Sequence, residues 1–558
     1  MKNLKKIISY MLTIMLSTGL YISYGFAKPV FLYKDKGKLE LASYLKRNTE
    51  QEFPLTHFTK KGRAAEKYDY DYKQHNSDES LPKTYNLAER GESTDVRDQG
   101  YHGTCWSFGV MASLESAHIK AGLADKSIDL SERHLTCFTF KPEIDEEGNL
   151  LSDDDKYAGG DTWRTANLQN PYANGGNREF AAPTLARGFG AVDESVAKYH
   201  PLMQNDLDGK MAGMSHLLLK EAVYLKEPVI KENDEYKTTD EEANIEIKKA
   251  LMKDGAVTVA YHHWGGDEFF NEDTGAYYCY KNDRGANHQV CIVGWDDEYS
   301  VDNFCEKTPS HKLPPKKGAW IIKNSWGKKW GKKGYFYLSY YDKSIWGPAV
   351  FKGYNVKYEG ADTKKPIGRI YQYDGVGLGD FSFVSDMEIK QANRFKLKDA
   401  ERFTSVGFFT GRPNMDVKVE LYKNSPESNP EKGKPLGNVS VFEKNPGYHV
   451  VKLNEPVDVF KNEIIYAVIS GKRKSGKKDE WDLLLETSTE VETPYFVAKA
   501  SAAKGQTYVN FKINSENKII SEGHTWQDVM NLPVKHEEID GFDTPQLEIG
   551  RASCRERV

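Results

Sequence analysis

Cys105 stands at the head of the run CWSFGVMASLESAHIK, in which Trp106, Val110 and Leu114 recur at helical spacing before Gly122 closes the pattern. A thiol at a helix amino terminus is drawn toward thiolate by the positive end of the helix dipole, and a neighbouring imidazolium lowers its pKa further. Lone cysteines more often fill small core spaces, so the chemistry depends on their company. Here the company is Gln99 to Phe108, QGYHGTCWSF, which puts a side-chain amide upstream of the thiol with a glycine-rich loop between them. In that arrangement the Gln99 amide and the Cys105 backbone N–H both aim at an oxyanion developing on a carbonyl under attack.

Such a nucleophile needs a base within hydrogen-bond reach and a third group to hold that base. The candidate base is His288, at the start of the strand-like NHQVCIVGW, and the candidate orienter is Asn324 in AWIIKNSWG. An Asn carbonyl accepting the ring N–H fixes the imidazole tautomer, and the adjacent Trp326 is placed to cover that bond from water. Separately, a strand-end His and a turn Asn are unremarkable; in this order with Gln99 and Cys105 they make one constellation.

These residues resemble the active-site blocks of the papain family of cysteine peptidases. The blocks LPKTYNL, QGYHGTCWSF, LSERHL, NGG at Asn174 to Gly176, NHQVCIVGWDD and IIKNSWGKKWGKKGYFYLS follow the family's order from Leu81 to about Ser339. The resemblance implies Gln99 as oxyanion donor, Cys105 as nucleophile, His288 as general base and then acid, and Asn324 as its orienter. It also implies a peptide or protein substrate, with Gly175 and Gly176 binding its backbone like an added strand and Asn287 and Trp326 beside them. A second pair, Gly159 and Gly160, competes for the glycine role. Arg178 and Gln289 fall where the family shapes its main specificity pocket with apolar residues, which predicts a less hydrophobic preference there. His102 stands where the family carries a disulfide cysteine, so that bridge is absent.

Two further features carry less. The acidic insertion EIDEEGNLLSDDD lacks EF-hand spacing and reads as a solvated loop. His262, His263, Asp267 and Glu268 read as a polar loop after a strand, so neither a metal nor a cofactor is assigned.

Helices early and strands late give an α+β order, and the resemblance implies a two-lobed, papain-like domain with the helical lobe first. Strands are expected at Ala256 to Tyr261, Gln289 to Trp295, Ala319 to Lys323 and Tyr335 to Ser339. The first domain is placed at 81–350 and a polar linker at 351–368. Residues 369–548 show only short strands, such as Ser405 to Thr410, Val417 to Tyr422, Tyr448 to Leu453 and Ile464 to Ile469, and read as an all-β sandwich. This half resembles, more faintly, the lectin-like domain of some bacterial secreted peptidases, which implies glycans or a cell surface as partner. Trp526, with Tyr448 and His449, is either a stacking platform for sugars or core.

The 558 residues exceed one core, and Lys+Arg 77 against Asp+Glu 82 gives a net charge of -5 with no basic tract, so no nucleic-acid partner is expected. Lys2, Lys5 and Lys6 precede an apolar run ending in Gly25 and Ala27, the pattern of a signal peptide over 1–27. Export is therefore expected, with no membrane attachment after cleavage. Residues 28–80 are polar and read as a leader or pro-segment. The last ten residues, 549–558, read as a non-native, adapter-derived tail that adds Cys554 to the cysteine tally.

Three functions fit these features: a secreted endopeptidase, a binding protein or adhesin using the fold as scaffold, and a cysteine amidase or transpeptidase acting on cell-wall peptides. The intact Gln, Cys, His and Asn set and the Asn-Ser-Trp block favour the first.

Overall fold

The computed structural model describes residues 81–140, most of 171–355, most of 370–532, and the short strands Thr162–Thr165 and Cys554–Arg557. The expected signal peptide, the leader, the acidic insertion, Gly159 and Gly160, Asn174, Asp267 and most of the linker lie outside the described residues.

The first domain is built on helix α1 (Cys105–Lys120), buried on all sides from Cys105 to His118. Its buried polar side chains are paired inside the protein, Glu115 with Arg97 and Thr94, and only its last turn, with Lys120 bonded to Glu92, reaches the surface. Shorter helices α2 (Glu132–Thr139) and α3 (Arg178–Ala186) pack beside it, each capped by the residue before it: Ser131 Oγ accepts from the His134 N–H, and Asn177 Oδ1 from those of Glu179 and Phe180. Trp106, Leu114, Phe140, Phe180 and Leu185 share this lobe's core.

Opposite α1 lies an antiparallel sheet. Its strands are β1 (Leu217–Tyr224), β2 (Val257–Tyr261), β3 (His288–Asp296), β4 (Ala319–Lys323), β5 (Tyr335–Ser339) and β6 (Trp346–Asn355), paired in the order β1-β6-β2-β3-β4-β5. The helix Glu241–Lys253, hereafter α4, covers part of it, with Ile247 and Leu251 buried among Val257, Val293 and Trp295. α1 approaches the sheet through Gly109, where a Cβ would come within 2.8 Å of Thr258 Oγ1.

The second domain is a sandwich. One layer holds β7 (Gln391–Lys396), β9 (Met415–Lys423) and β11 (Ile464–Ser475); the other holds β8 (Glu401–Thr410) paired with β10 (Gly447–Val459). Phe403, Phe408, Val419, Leu421, Val457 and Ile465 fill the space between them. The two domains share one sheet, because β10 pairs antiparallel with β1 through Gly447↔Val223, Tyr448↔Ala222 and His449↔Glu221. Tyr448 belongs to the first domain's core, where it joins Ala349 and Phe351. His449 is buried as well, bridging Thr410 Oγ1 and Glu443. Trp526 is 5% exposed and bonds Glu431 through its indole N–H at 3.2 Å. All three aromatic side chains are thus core or seam residues, the second of the two readings that the sequence left open.

Candidate active site

The four candidate residues arrive from three elements and meet where the helical and β lobes face each other. Cys105 is the first residue of α1 and 2% exposed. His288 opens β3, and Asn324 follows β4 directly. β3 and β4 are paired neighbours, which brings His288 Nε2 to 2.8 Å from Asn324 Oδ1. The amide oxygen accepts, so Nε2 carries the proton and Nδ1 is left for the thiol. The Trp326 ring stacks on the imidazole at 4.3 Å and 18°. The backbone N–H of Gln289, one residue past His288, interacts with the Cys105 sulfur, so the start of β3 reaches the thiol.

Burial pushes the Cys105 thiol up to about 11 and the His288 imidazole down to about 4. Neither group ionises alone in this setting; the charges arise together when the proton passes from sulfur to Nδ1, each ion compensating the other.

Gln99 is held from the β lobe. Its N–H donates to the Ser325 carbonyl at 2.8 Å, and Ser325 Oγ donates to Gln99 Oε1 at 2.6 Å. That second bond fixes the amide orientation, with Nε2 turned into its own loop, where one N–H meets the His102 carbonyl at 2.7 Å. Facing this loop are Gly175, with φ +69°, and Gly176, where a Cβ would lie 2.6 Å from the Trp106 ring. Only glycine permits that approach.

The remaining expected substrate contacts divide. Asn287 has its side-chain amide tied on both sides to the His263 backbone, at 2.6 and 2.9 Å, and its own N–H donates to the Tyr261 carbonyl at 2.9 Å. Gln289 is buried and donates to Thr258 Oγ1 at 2.7 Å. Arg178 is 3% exposed, paired with Glu179 at 2.7 Å, bonded to the Pro348 carbonyl at 2.9 Å and stacked over Tyr224. Its charge is compensated inside the protein, which corrects its placement as a pocket residue; the Asn177 cap starts α3 at Arg178 and turns the side chain inward. Nearby, His263 bonds Tyr261 Oη through Nδ1 and packs edge-on against Trp326, and Glu268 pairs with Lys281. Cys137, Cys279 and Cys291 are buried.

Behind the site lies a cavity of about 20 Å³, room for one water, lined in part by Asn324, Gln289, Arg97, Glu115, Glu132 and Lys323. Asn324 Nδ2 is buried without a protein partner. Arg97 reaches Glu115 at 2.8 Å, Asp129 at 2.7 Å and Glu132 at 3.0 Å, and Lys323 Nζ bonds Thr94 Oγ1, which bonds Glu115. Three acids share two cations. Burial and the like charge of Glu115 push Glu132 up to about 8 against the pull of Arg97. An acid raised in the fold stabilises it at low pH and loses that contribution as pH rises through its folded pKa. Thermal unfolding of the wild type should therefore fall in midpoint between about pH 5 and 9, and Glu132→Gln, which keeps the shape without the charge, should flatten part of that slope. Equal slopes in the two proteins would show that Glu132 is ionised throughout.

Residues 81–347 match the papain family cysteine protease profile and residues 370–536 that of the lectin like domain. Among curated proteins, the probable cysteine protease RD19B of Arabidopsis thaliana is 26% identical over 258 residues, 46% of this chain and 58% of that one. Cysteine proteinase 15A of Pisum sativum is 26% identical over 260 residues, 46% of this chain and 57% of that one. The chain thus spans little more than half the length of these relatives. A solved structure of the cysteine protease and lectin-like domains of Cwp84, a surface layer associated protein of Clostridium difficile, covers 94% of this chain and 96% of its own at TM-score 0.62 and 21% identity. A second Cwp84 structure, taken after propeptide cleavage, covers 85% of this chain and 98% of its own at TM-score 0.60 and 22% identity, so the two-domain fold is shared. Residues 81–347 are therefore a papain family cysteine protease domain, and residues 370–536 a lectin-like domain.

Proposed function

We propose that the chain is an exported thiol endopeptidase, with Cys105 as nucleophile, His288 as general base and acid, Asn324 as orienter and Gln99 as oxyanion donor. The observation that carries this reading is the His288–Asn324 bond at 2.8 Å beneath the Trp326 ring, beside a buried thiol at a helix amino terminus. The Cys105 proton moves to His288 Nδ1 as sulfur attacks the peptide carbonyl, and the oxyanion is met by the Gln99 amide and the Cys105 backbone N–H. Collapse breaks the C–N bond, and His288 returns the proton to the departing amine. Water, deprotonated by the same imidazole, then cleaves the thioester and restores the thiol. Stacking on Trp326 favours the transient imidazolium.

The lectin-like domain is assigned to holding the enzyme near its substrate at a glycan-bearing or cell surface, in keeping with the description of Cwp84 as surface layer associated. The test is hydrolysis of unfolded casein with and without a thiol-directed epoxide, beside Cys105→Ala. Hydrolysis abolished by both treatments supports the reading. Cleavage of cell-wall peptides but not casein would point to the amidase class, and no turnover of either substrate to a scaffold.

A further inference from the structure

Tyr199 carries no chemistry in the sequence and lies far from Gln99 along the chain, yet its hydroxyl ends between the two ends of the nucleophile loop. Its Oη donates to the Gln99 carbonyl at 3.0 Å and meets Thr104 Oγ1 at 2.5 Å. Because the phenolic proton goes to Gln99, Thr104 supplies the proton of the second bond. Burial holds the Tyr199 pKa well above the ordinary phenol value, so the donor persists across the working pH range.

The ring is fixed too. It packs edge-on against Phe108 at 4.9 Å and against His102 at 5.9 Å, while the Tyr199 N–H is bound by Glu194. His102 also packs edge-on against Tyr172, whose carbonyl receives the Gly103 N–H at 2.7 Å. An aromatic clamp thus holds the loop where His102 replaces a disulfide cysteine.

The geometry matters because the two oxyanion donors hang on different lobes. Gln99 is tied to Ser325 of the β lobe, and the Cys105 N–H belongs to α1. Tyr199 joins the Gln99 carbonyl to Thr104, the residue immediately before α1. We propose that Tyr199 is a positioning residue that sets the spacing between the Gln99 amide and the Cys105 N–H. This rests on the peptidase reading above. Without the hydroxyl, Gln99 follows the β lobe while Cys105 follows α1, and the donors lose register with a developing oxyanion.

The test is Tyr199→Phe, which keeps the ring, with Thr104→Val as a second way to cut the link. Both should lower kcat for a peptide substrate by about 10-fold with KM unchanged, as expected for an interaction made only in the transition state. Alkylation of Cys105 by iodoacetamide, which needs the thiol and imidazole but no oxyanion donor, should keep its wild-type rate and pH profile. Wild-type kcat in both variants overturns the inference, as does alkylation falling in step with hydrolysis, which would mean a general loosening of the loop. A wild type that alkylates normally yet cleaves no peptide overturns the peptidase reading and this inference together.

Discussion

The His288→Ala variant should lose on the order of 10⁴-fold or more in kcat, with KM changed little, because base, acid and counter-ion are removed in one step. The pH behaviour separates this from damage elsewhere. In the wild type the active pair is neutral thiol and neutral imidazole, and burial places its limits at about 4 for His288 and about 11 for Cys105. Below about pH 4 the imidazole takes its proton from solvent and none from sulfur, so kcat/KM should fall steeply there and hold a broad plateau above. In the variant no internal acceptor remains, and thiolate forms only as pH climbs toward the free thiol's own value. Residual hydrolysis and iodoacetamide alkylation should both rise with pH toward about 11. Wild-type alkylation rates near neutrality in the variant would mean that Cys105 is activated by some other group, and the assignment of His288 would fall.

Much of the site's framework was legible because it is encoded locally. The strands Ala319–Lys323 and Tyr335–Ser339 were expected at the bounds observed, and β3 differs by one residue at each end, since short apolar runs between Gly and Asp carry their own signal. The helix after Cys105 likewise follows from its spacing and its closing glycine. What was not legible depends on partners distant in sequence. Arg178 was expected to face the substrate because it follows Gly176, but one capping residue, Asn177, decides the phase of α3, and Pro348 and Tyr224 receive the guanidinium. Tyr199 gave no signal at all, being one tyrosine among 33 whose role depends on where its hydroxyl ends. β1 was likewise unforeseen, and with it the shared sheet: pairing of Val223 with Gly447 leaves no periodic trace in either segment.

That seam carries the second large effect. Gly447 sits at φ +132°, and a Cβ there would lie 1.9 Å from the Ala222 carbonyl oxygen. Gly447→Ala therefore combines a backbone conformation disfavoured for L residues with an overlap against main chain, which cannot swing aside as a side-chain tip does. The cost should be about 3 kcal/mol or more. It should fall on the junction, because the neighbouring links are those that join the domains: the Tyr224 N–H to the Pro446 carbonyl at 2.9 Å, Asn445 Nδ2 to Glu246 at 2.8 Å, and Tyr448 in the first domain's core. Intact pairing makes the two cores unfold together, whereas a broken seam lets each melt alone. Calorimetry of the variant should resolve two transitions where the wild type gives one. The active-site elements lie on the far side of β6 and β2 from the seam, so the folded variant should hydrolyse a short peptide at the wild-type kcat. Cleavage of a surface-bound substrate should drop, since the second domain no longer holds the first in a fixed pose. A single unshifted transition in Gly447→Ala would mean that β10 does not approach β1 this closely in solution, and the shared sheet would lose its claim to couple the domains.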